Sequence, residues 1–302
     1  MTIRFFYHYP ETNGTDGDML DAGSLLDVAA AAERSGFTGF SLTEHPAPGN
    51  RWLRAGGHQS LDPLVGLGYI AAATTRLKLL THLVVAPYRN PLLLAKAAAT
   101  VDKLSGGRMI LGLGTGYQKS EFYAVGVDIN ERNALFDEAL DVLPRHWSGE
   151  PFSYHARHFD ARDIIARPRP VQNPIPIWIG GNSRLSRRRV AERAQGWMPM
   201  GGPPQLSVTA RTVAITSLAQ LAEMIAGVRA EADAAGRTDP IEVLYSYHDQ
   251  TIGSPTVDAD RHREAFAEIE KAGVTSLVIS SDTHAPAATL EFVQAFGETY
   301  AS

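Results

Sequence analysis

Eight times along the chain, a short apolar run rich in β-forming residues is followed by a longer run with helical periodicity. This alternation is typical of βα units around a parallel sheet. The predicted strands are Ile3–Tyr9, Gly39–Thr43, Lys78–Val85, Met109–Thr115, Ile177–Gly180, Gly196–Met200, Ile241–Tyr247 and Ser276–Ser280. The predicted helices are Ser24–Ser35, Asp62–Thr74, Pro91–Leu104, Asn133–Trp147, Ser183–Gln195, Ser217–Ala235, Asp258–Ala272 and Ala285–Tyr300. No linker rich in Gly, Ser or charge separates the units, so the pattern favours one closed (β/α)8 barrel, a TIM barrel over residues 1–302, rather than an open sheet.

The main irregularity is Gly149–Pro176, between the helix of the fourth unit and the strand of the fifth. We interpret this segment, which contains prolines and aromatic residues, as an inserted hairpin or lid that pairs Tyr154 with Phe159 across a turn. Long loops also follow three of the predicted strands, at Glu44–Leu61, Gly116–Arg132 and Gly201–Thr216. Such loops gather at the C-terminal mouth of a barrel, where active sites are found.

The amino-acid composition excludes several classes of function. The chain has 28 basic and 33 acidic side chains and a net charge of −5, so no overall field attracts it to nucleic acid or to anionic lipid. It has no cysteine, which excludes disulfides, thiolate metal sites and cysteine nucleophiles, and any redox chemistry needs an organic cofactor. The N-terminus lacks the features of a signal peptide, and no apolar run approaches the roughly 18 residues that span a bilayer. We therefore expect a cytoplasmic protein with a small-molecule substrate and without nucleic-acid or membrane partners.

Four histidines lie at the ends of predicted strands, namely His8, His45, His82 and His248. In a barrel they would converge on one mouth. A metal-dependent barrel hydrolase could use such histidines, but the first strand lacks the His-x-His pair of those enzymes, and no acidic residue has convincing ligand spacing to the histidines of the insert. We predict no metal and keep the hydrolase as an alternative.

Two glycine-rich turns could hold a ligand. The strand Ile177–Gly180 runs into Gly181-Asn182-Ser183 and a helix with four arginines, an arrangement that suits either an anion cradle or an ordinary tight turn. The second turn, Ile110–Tyr117, matches a dinucleotide-binding motif only weakly, because it lacks the full spacing and a helix directly after it. Its small residues could make room for a flat ring, or they could form a glycine-lined turn with a structural role only.

Several motifs together carry a more specific signal: Thr43-Glu44-His45, Pro87–Pro91, Leu104–Arg108, Leu111–Gly116, Glu121-Phe122 and Pro176–Ser183. Over nearly its whole length, the sequence resembles the luciferase-like monooxygenase family. That family includes bacterial luciferase, FMN-dependent monooxygenases and reductases or dehydrogenases that use coenzyme F420. The resemblance implies a barrel with the ring of FMN or F420 at its mouth and the cofactor phosphate near the turn of the fifth unit.

The resemblance also implies residue roles. His45 is the expected proton donor or acceptor, with Glu44 beside it as a second catalytic candidate. The expected cofactor-binding residues are His82, Leu83, Thr115, Gly116, Gly180, Gly181, Asn182 and Ser183. A non-prolyl cis peptide is expected near His82–Leu83, behind the ring. The expected substrate pocket consists of Tyr7, His8, Trp52, Tyr117 and Trp178.

The resulting hypothesis is hydride transfer at the cofactor ring. With FMN, the chain would oxygenate a small organic substrate; with F420, it would reduce or oxidise one without oxygen. The sugar-phosphate-oxidising F420 members have a glutamate where this chain has Tyr117, so that substrate class is disfavoured. A non-catalytic flavin-binding barrel is the rival outside enzymes, but it would lose the mouth histidines. We further expect a separate flavin or F420 reductase as partner, and a homodimer formed through helices of the second and third units.

Overall fold

The computed structural model describes residues 3–11, 17–202, 204–281 and 283–301. The strands are β1 Arg4–His8, β2 Gly39–Leu42, β3 Lys78–Thr81, β4 Val84–Val85, β5 Met109–Gly114, β6 Phe152–His155, β7 Asp160–Ile164, β8 Ile177–Gly180, β9 Gly196–Met198, β10 Glu242–Ser246 and β11 Ser276–Ile279. The α-helices are α1 Leu25–Arg34, α2 Asn50–Arg54, α3 Pro63–Ala71, α4 Pro91–Ser105, α5 Lys119–Ala124, α6 Arg132–Ser148, α7 Arg184–Arg193, α8 Pro204–Thr209, α9 Leu218–Ala234, α10 Ala259–Lys271 and α11 Pro286–Phe296.

Parallel pairing closes the main sheet on itself. The hydrogen-bonded order is β3-β2-β1-β11-β10-β9-β8-β5, and β5 returns to pair with β3. The short β4 extends the same sheet beside β5. The predicted closed (β/α)8 barrel is therefore confirmed. Each predicted helix is present as α1, α3, α4, α6, α7, α9, α10 or α11, whereas α2, α5 and α8 lie within the three long loops that follow β2, β5 and β9.

Local sequence explains several helix boundaries. The Asp62 carboxylate accepts the backbone N–H groups of Leu64 and Val65 at the start of α3, and the Ser217 hydroxyl accepts that of Gln220 at the start of α9. These side chains satisfy N–H groups that have no carbonyl partner within the helix. The helix α4 ends at Gly106, whose φ of 72° is a conformation that glycine adopts without a steric penalty.

Side-chain alternation along the strands separates two packed layers. One cluster of buried side chains comes entirely from strands and fills the barrel interior: Phe6, Leu80, Ile110, Trp178, Met198, Leu244 and Val278. Phe6 and Trp178 lie 5.8 Å apart between ring centroids at its centre. A Cβ atom at Gly39 would overlap the Phe6 ring, so that glycine makes room for it. The larger cluster, between the outer strand faces and the helices, surrounds the barrel.

The segment between α6 and β8 contains an antiparallel hairpin of β6 and β7. Tyr154 pairs with Ala161 rather than with Phe159. Tyr154 and Ala161 form one buried cluster with Val142 of α6. At the tip, His158 Nδ1 lies 2.6 Å from Glu138 Oε1 and its Nε2 lies 3.0 Å from Glu131 Oε2. These contacts hold the hairpin against the outer face of α6. No α-helix in the described part of the chain is both long and apolar enough to span a membrane.

Candidate functional site at the barrel mouth

Histidines from several strands meet at the C-terminal mouth. The rings of His8, at the end of β1, and His82, after β3, are perpendicular, with their centroids 5.5 Å apart. Burial lowers the pKa of His82 to about 3, and the charges of His8 and His248 act in the same direction. His82 is therefore a neutral imidazole at physiological pH. The structure thus brings three of the four predicted histidines together. The fourth, His45, follows β2 and is connected to His8 through His58 and Glu11.

His45 forms a carboxylate–imidazole pair with Glu121 of α5. Its Nδ1 lies 3.1 Å from Glu121 Oε2 and 3.3 Å from Oε1. The Glu121 side chain is almost completely buried, and it also accepts the Tyr88 hydroxyl at 3.2 Å and the Ala47 backbone N–H at 3.4 Å. An acceptor at Nδ1 places the proton of a neutral imidazole there, which leaves Nε2 free to accept a proton from a substrate. Sequence reasoning noted Glu121 within a family motif but gave it no role.

Glu44 faces away from His45, because adjacent side chains on an extended segment point to opposite sides. Its carboxylate accepts the Val85 backbone N–H at 2.7 Å and forms an ion pair with Arg89. Burial raises the pKa of the Glu44 carboxyl, and the charge of Arg89 opposes this shift only in part. Glu44 therefore holds the segment after β3, and Glu121 rather than Glu44 contacts the His45 ring.

Aromatic residues enclose the His45 ring. The Trp52 ring lies 4.6 Å from it between centroids, tilted by 38°, and the Tyr117 ring lies at 6.3 Å. A Cβ atom at Gly57 would overlap the indole of Trp52, so the backbone of the loop closes directly on that ring. Burial raises the pKa of Tyr117 to about 12, and the charge of Glu121 adds to the effect. Tyr117 thus keeps its hydroxyl proton and can donate it in a hydrogen bond.

A flat apolar floor lies at the same mouth. The His82–Leu83 peptide is cis, which confirms the prediction. The Leu83 side chain lies between Gly114, at the end of β5, and Gly180, at the end of β8, and a Cβ atom at either glycine would overlap it. The next glycine, Gly116, has a φ of 76° and lies against Phe122, while Thr115 beside it is half-buried. The glycines of both predicted turns therefore open space at one edge of the barrel.

The turn after β8 is held by its own polar side chains. Asn182 is fully buried, and its amide donates to the carbonyls of Met200 at 2.8 Å and Val213 at 2.7 Å and accepts the Met200 N–H at 2.8 Å. Ser183 caps α7 by accepting the Ser186 N–H at 3.0 Å. These two side chains shape the turn, so an anion would meet mainly backbone N–H groups at the start of α7.

Several arginines of α7 have acidic partners. Arg189 binds both carboxylate oxygens of Asp137 at 2.7 and 2.8 Å, and Arg193 pairs with Asp141. Arg188 Nε lies 3.8 Å from the Glu192 carboxylate. By contrast, the buried Nε of Arg187 has no hydrogen-bond partner within the described chain. Arg187, one turn after the glycine corner, is thus an arginine of this run whose buried Nε has unused binding capacity.

Two predicted pocket residues lie elsewhere. Tyr7 is fully buried on the outer face of β1, where it contacts Phe40 and Phe292 and its hydroxyl lies 3.1 Å from the Ser281 hydroxyl. Phe6 and His8 occupy the inner face, so Tyr7 must point towards the helices. Trp178 is buried within the interior layer beneath the mouth. His8, Trp52 and Tyr117 remain at the mouth. Among the described residues, no group of three or more His, Asp or Glu side chains could hold a metal ion.

Comparisons with known proteins relate the chain to one family by its sequence and to solved structures by its fold. The profile of the family described as luciferase-like monooxygenase matches residues 3–248. An uncharacterized protein of Mycobacterium tuberculosis (strain ATCC 25618 / H37Rv) is 28% identical over 274 residues, or 86% of this chain and 86% of that protein. An F420-dependent glucose-6-phosphate dehydrogenase of Kineococcus radiotolerans is 32% identical over 184 residues, or 60% of this chain and 53% of that protein. In fold, the chain is similar to the FMN complex of the oxygenating constituent of 3,6-diketocamphane monooxygenase from Pseudomonas putida, with a TM-score of 0.79 and 16% identity over 100% of this chain and 98% of that chain.

Proposed function

The chain belongs to the luciferase-like monooxygenase family, and we propose that it is an oxidoreductase that uses FMN to oxygenate a small organic substrate at the barrel mouth. The observation that carries this proposal is the meeting of three features at one edge of the barrel. They are the Leu83 floor between two glycines, the glycine corner at the start of α7, and the buried His45–Glu121 pair.

The residues present fit a flat ring that carries a phosphate. Gly114 and Gly180 make room for the Leu83 side chain, because a Cβ atom at either position would overlap it. Leu83 can thus lie across the two glycines and form the floor under the ring. Arg187 offers a buried Nε without a partner, beside backbone N–H groups that favour an anion. We propose that these groups hold the ring and the phosphate. When bound, the flavin supplies the two-electron and oxygen chemistry that protein side chains lack.

The side chains of the mouth then handle the substrate. Glu121 fixes the His45 ring with its proton on Nδ1, so Nε2 can take a proton from a substrate hydroxyl or return it. Trp52 covers the ring and keeps water from it. Tyr117 and the neutral His82 are hydrogen-bonding groups for an uncharged oxygen. This set suits an alcohol or a carbonyl compound.

Coenzyme F420 is the second candidate cofactor, and the relative from Kineococcus radiotolerans, named as F420-dependent, favours it. One argument for F420 is that the arginines of α7 could bind its anionic tail, and the structure weakens that argument. A long anionic tail would need several available arginines, but Arg188, Arg189 and Arg193 of α7 already have acidic partners, which leaves Arg184 and Arg187 of that helix. A single phosphate needs fewer positive charges, which favours FMN.

We also propose two protein partners. Reduced FMN would come from a separate reductase. A second copy of the chain would cover the apolar side chains that α3 and α4 expose, among them Val65, Tyr69, Leu93 and Leu104, of which Val65 is 73% exposed. The location in the cytoplasm remains a prediction from the sequence.

Binding measurements with cofactor-free protein test the cofactor. We expect FMN fluorescence to be quenched saturably, F420 to bind more weakly, and riboflavin, which lacks the phosphate, to bind about ten-fold or more weakly than FMN. The substitution Arg187→Gln should remove most of the difference between FMN and riboflavin. The matched control is Arg188→Gln, on the same helix, which should preserve it. Tighter binding of F420 than of FMN would favour the second candidate, and binding of neither cofactor would refute the proposal.

A further inference from the structure

A second carboxylate–imidazole cluster lies beside the first one. Glu11, just after β1, contacts two histidines at once. Its Oε1 lies 2.9 Å from His8 Nε2 in a hydrogen bond, and its Oε2 lies 2.6 Å from His58 Nδ1 in an ion-pair contact whose angle is outside hydrogen-bond geometry. The other nitrogen of His8 lies 2.8 Å from the Ser41 hydroxyl. The three side chains of the cluster are between 15% and 23% exposed. Glu11 therefore ties the end of β1 to the loop that follows β2.

His58 also contacts His45. The two rings are perpendicular, with their centroids 4.8 Å apart, and both contact Trp52, which lies 5.2 Å from His58. Glu121 holds the His45 ring at Nδ1 through a hydrogen bond, whereas His58 and Trp52 limit its rotation through packing. The order of contacts is thus Glu11, His58, His45 and Glu121, with a carboxylate at each end.

The charges within this group favour an ion pair. Burial disfavours the charged form of His58, but its contact with Glu11 outweighs that effect and raises the pKa of the imidazole, with a smaller contribution from Glu121. Burial likewise disfavours the carboxylate of Glu11, but His8 and His58 lower its pKa. The titratable groups around His58 are thus Glu11, His45 and Glu121. The other carboxylate oxygen of Glu11 contacts His8.

We propose that Glu11 and His58 are positioning residues for His45 in the reaction proposed above. Glu11 fixes the His58 ring through an ion pair, and His58 together with Trp52 fixes the orientation in which His45 meets the substrate. When His58 loses its proton, the ion pair weakens and the loop after β2 no longer holds His45 in that orientation. The inference rests on the proposed function for its catalytic consequence, but the contact between the rings can be tested without cofactor.

The first experiment follows the histidine ring signals of the cofactor-free full chain by NMR between pH 5 and 9, a range that brackets the ordinary imidazole titration. The variant His58→Gln identifies the His58 signal among those of the 10 histidines. In Glu11→Gln, we expect the His58 titration midpoint to fall and the His45 signals to move. The matched control is His158→Gln, which removes a histidine with two acidic partners on the distant hairpin and should leave the His45 signals unchanged.

The second experiment measures kcat and KM across the same pH range with the cofactor bound. In the wild type, kcat should fall as the pH rises through the His58 midpoint; in Glu11→Gln, this fall should occur at lower pH. At neutral pH, Glu11→Gln and His58→Gln should each lower kcat by on the order of ten-fold and change KM little. This loss is smaller than the ~100-fold that a misplacement of one ångström can cost. Loss of stability without movement of the His45 signals or of the pH profile would mean a purely structural role and would overturn the inference. If the wild type bound neither cofactor, the proposed function would fail, and the NMR experiment would still decide the positioning role.

Discussion

His45 Nδ1 lies 3.1 Å from Glu121 Oε2, although 76 residues separate the two in the chain. Glu121 lies in α5, a helix within the loop that follows β5, whereas His45 follows β2. The proton chemistry proposed for the mouth would therefore depend on how one long loop is folded against the end of another strand. A buried carboxylate that accepts three hydrogen bonds is well fixed, and it fixes its partner in turn.

Substitution of this pair should reduce turnover. We expect His45→Ala to lower kcat by about 100-fold or more, since a positioned acid or base contributes that much. Glu121→Gln should lower it by on the order of ten-fold, because the amide no longer selects the proton position on His45. Steady-state kinetics at saturating cofactor measures both effects. Glu192→Gln, an exposed glutamate of α7, is the control, and wild-type kcat in Glu121→Gln would contradict the assignment.

The glycine beside Leu83 should matter for the cofactor more than for stability. In Gly180→Ala, the new methyl group meets the end of the Leu83 side chain, which can move aside into the space above the floor. We expect FMN affinity to fall by about ten-fold, equivalent to ~1.4 kcal/mol, with a small change in the melting temperature. Gly227→Ala in α9, where nothing lies near the added methyl, is the control: it should retain FMN affinity and gain about 0.5–1 kcal/mol of stability. Equal FMN affinity in both variants would count against the Leu83 floor as the ring site.

The outward orientation of Tyr7 can be tested by comparing the variant Tyr7→Phe with the variant Tyr117→Phe. Tyr7→Phe removes one buried hydroxyl that interacts with Ser281, so the free energy of unfolding should fall by about 1 kcal/mol without loss of activity. Tyr117→Phe removes a hydroxyl at the mouth and should lower activity instead. Denaturant unfolding and steady-state kinetics of the two variants separate the effects. A loss of activity in Tyr7→Phe at unchanged stability would contradict the placement of Tyr7 behind the barrel wall.

His82 should make stability depend on pH. Its pKa is lowered to about 3 by burial, whereas an unfolded chain binds a proton at that imidazole near pH 6.5. Between these values the unfolded state binds more protons than the folded state, so the stability falls as the pH is lowered from about 6.5 towards 3. We expect His82→Gln to show a smaller fall in the free energy of unfolding across this range. The exposed His284→Gln should retain the wild-type slope; an identical slope in His82→Gln would contradict the prediction.

The sequence predicted the barrel because each βα unit shows its own periodicity, and eight such units leave few alternative topologies. It placed His45 at the mouth for a similar reason, since a residue just after a barrel strand lies there; the role of His45 in proton transfer was implied by the family resemblance and remains a prediction. It did not predict Glu121 as the partner of His45, because that contact depends on the fold of two long loops and has no local spacing. Tyr7 was assigned to the wrong side of β1, since strand alternation alone does not show which face turns inwards. Asn182 shapes its turn through carbonyls of Met200 and Val213, which no local pattern connects to it.

The side chains around Phe6 and Trp178 that fill the barrel interior also limit how molecules move through the protein. Because this packed layer lies directly beneath the mouth, it leaves no open channel from one end of the barrel to the other. In the proposed reaction, cofactor, substrate, oxygen and product would therefore use the same entrance. A product can leave only past the loops that enclose His45, so the rate at which those loops open would set an upper limit on turnover even when the chemical step is fast.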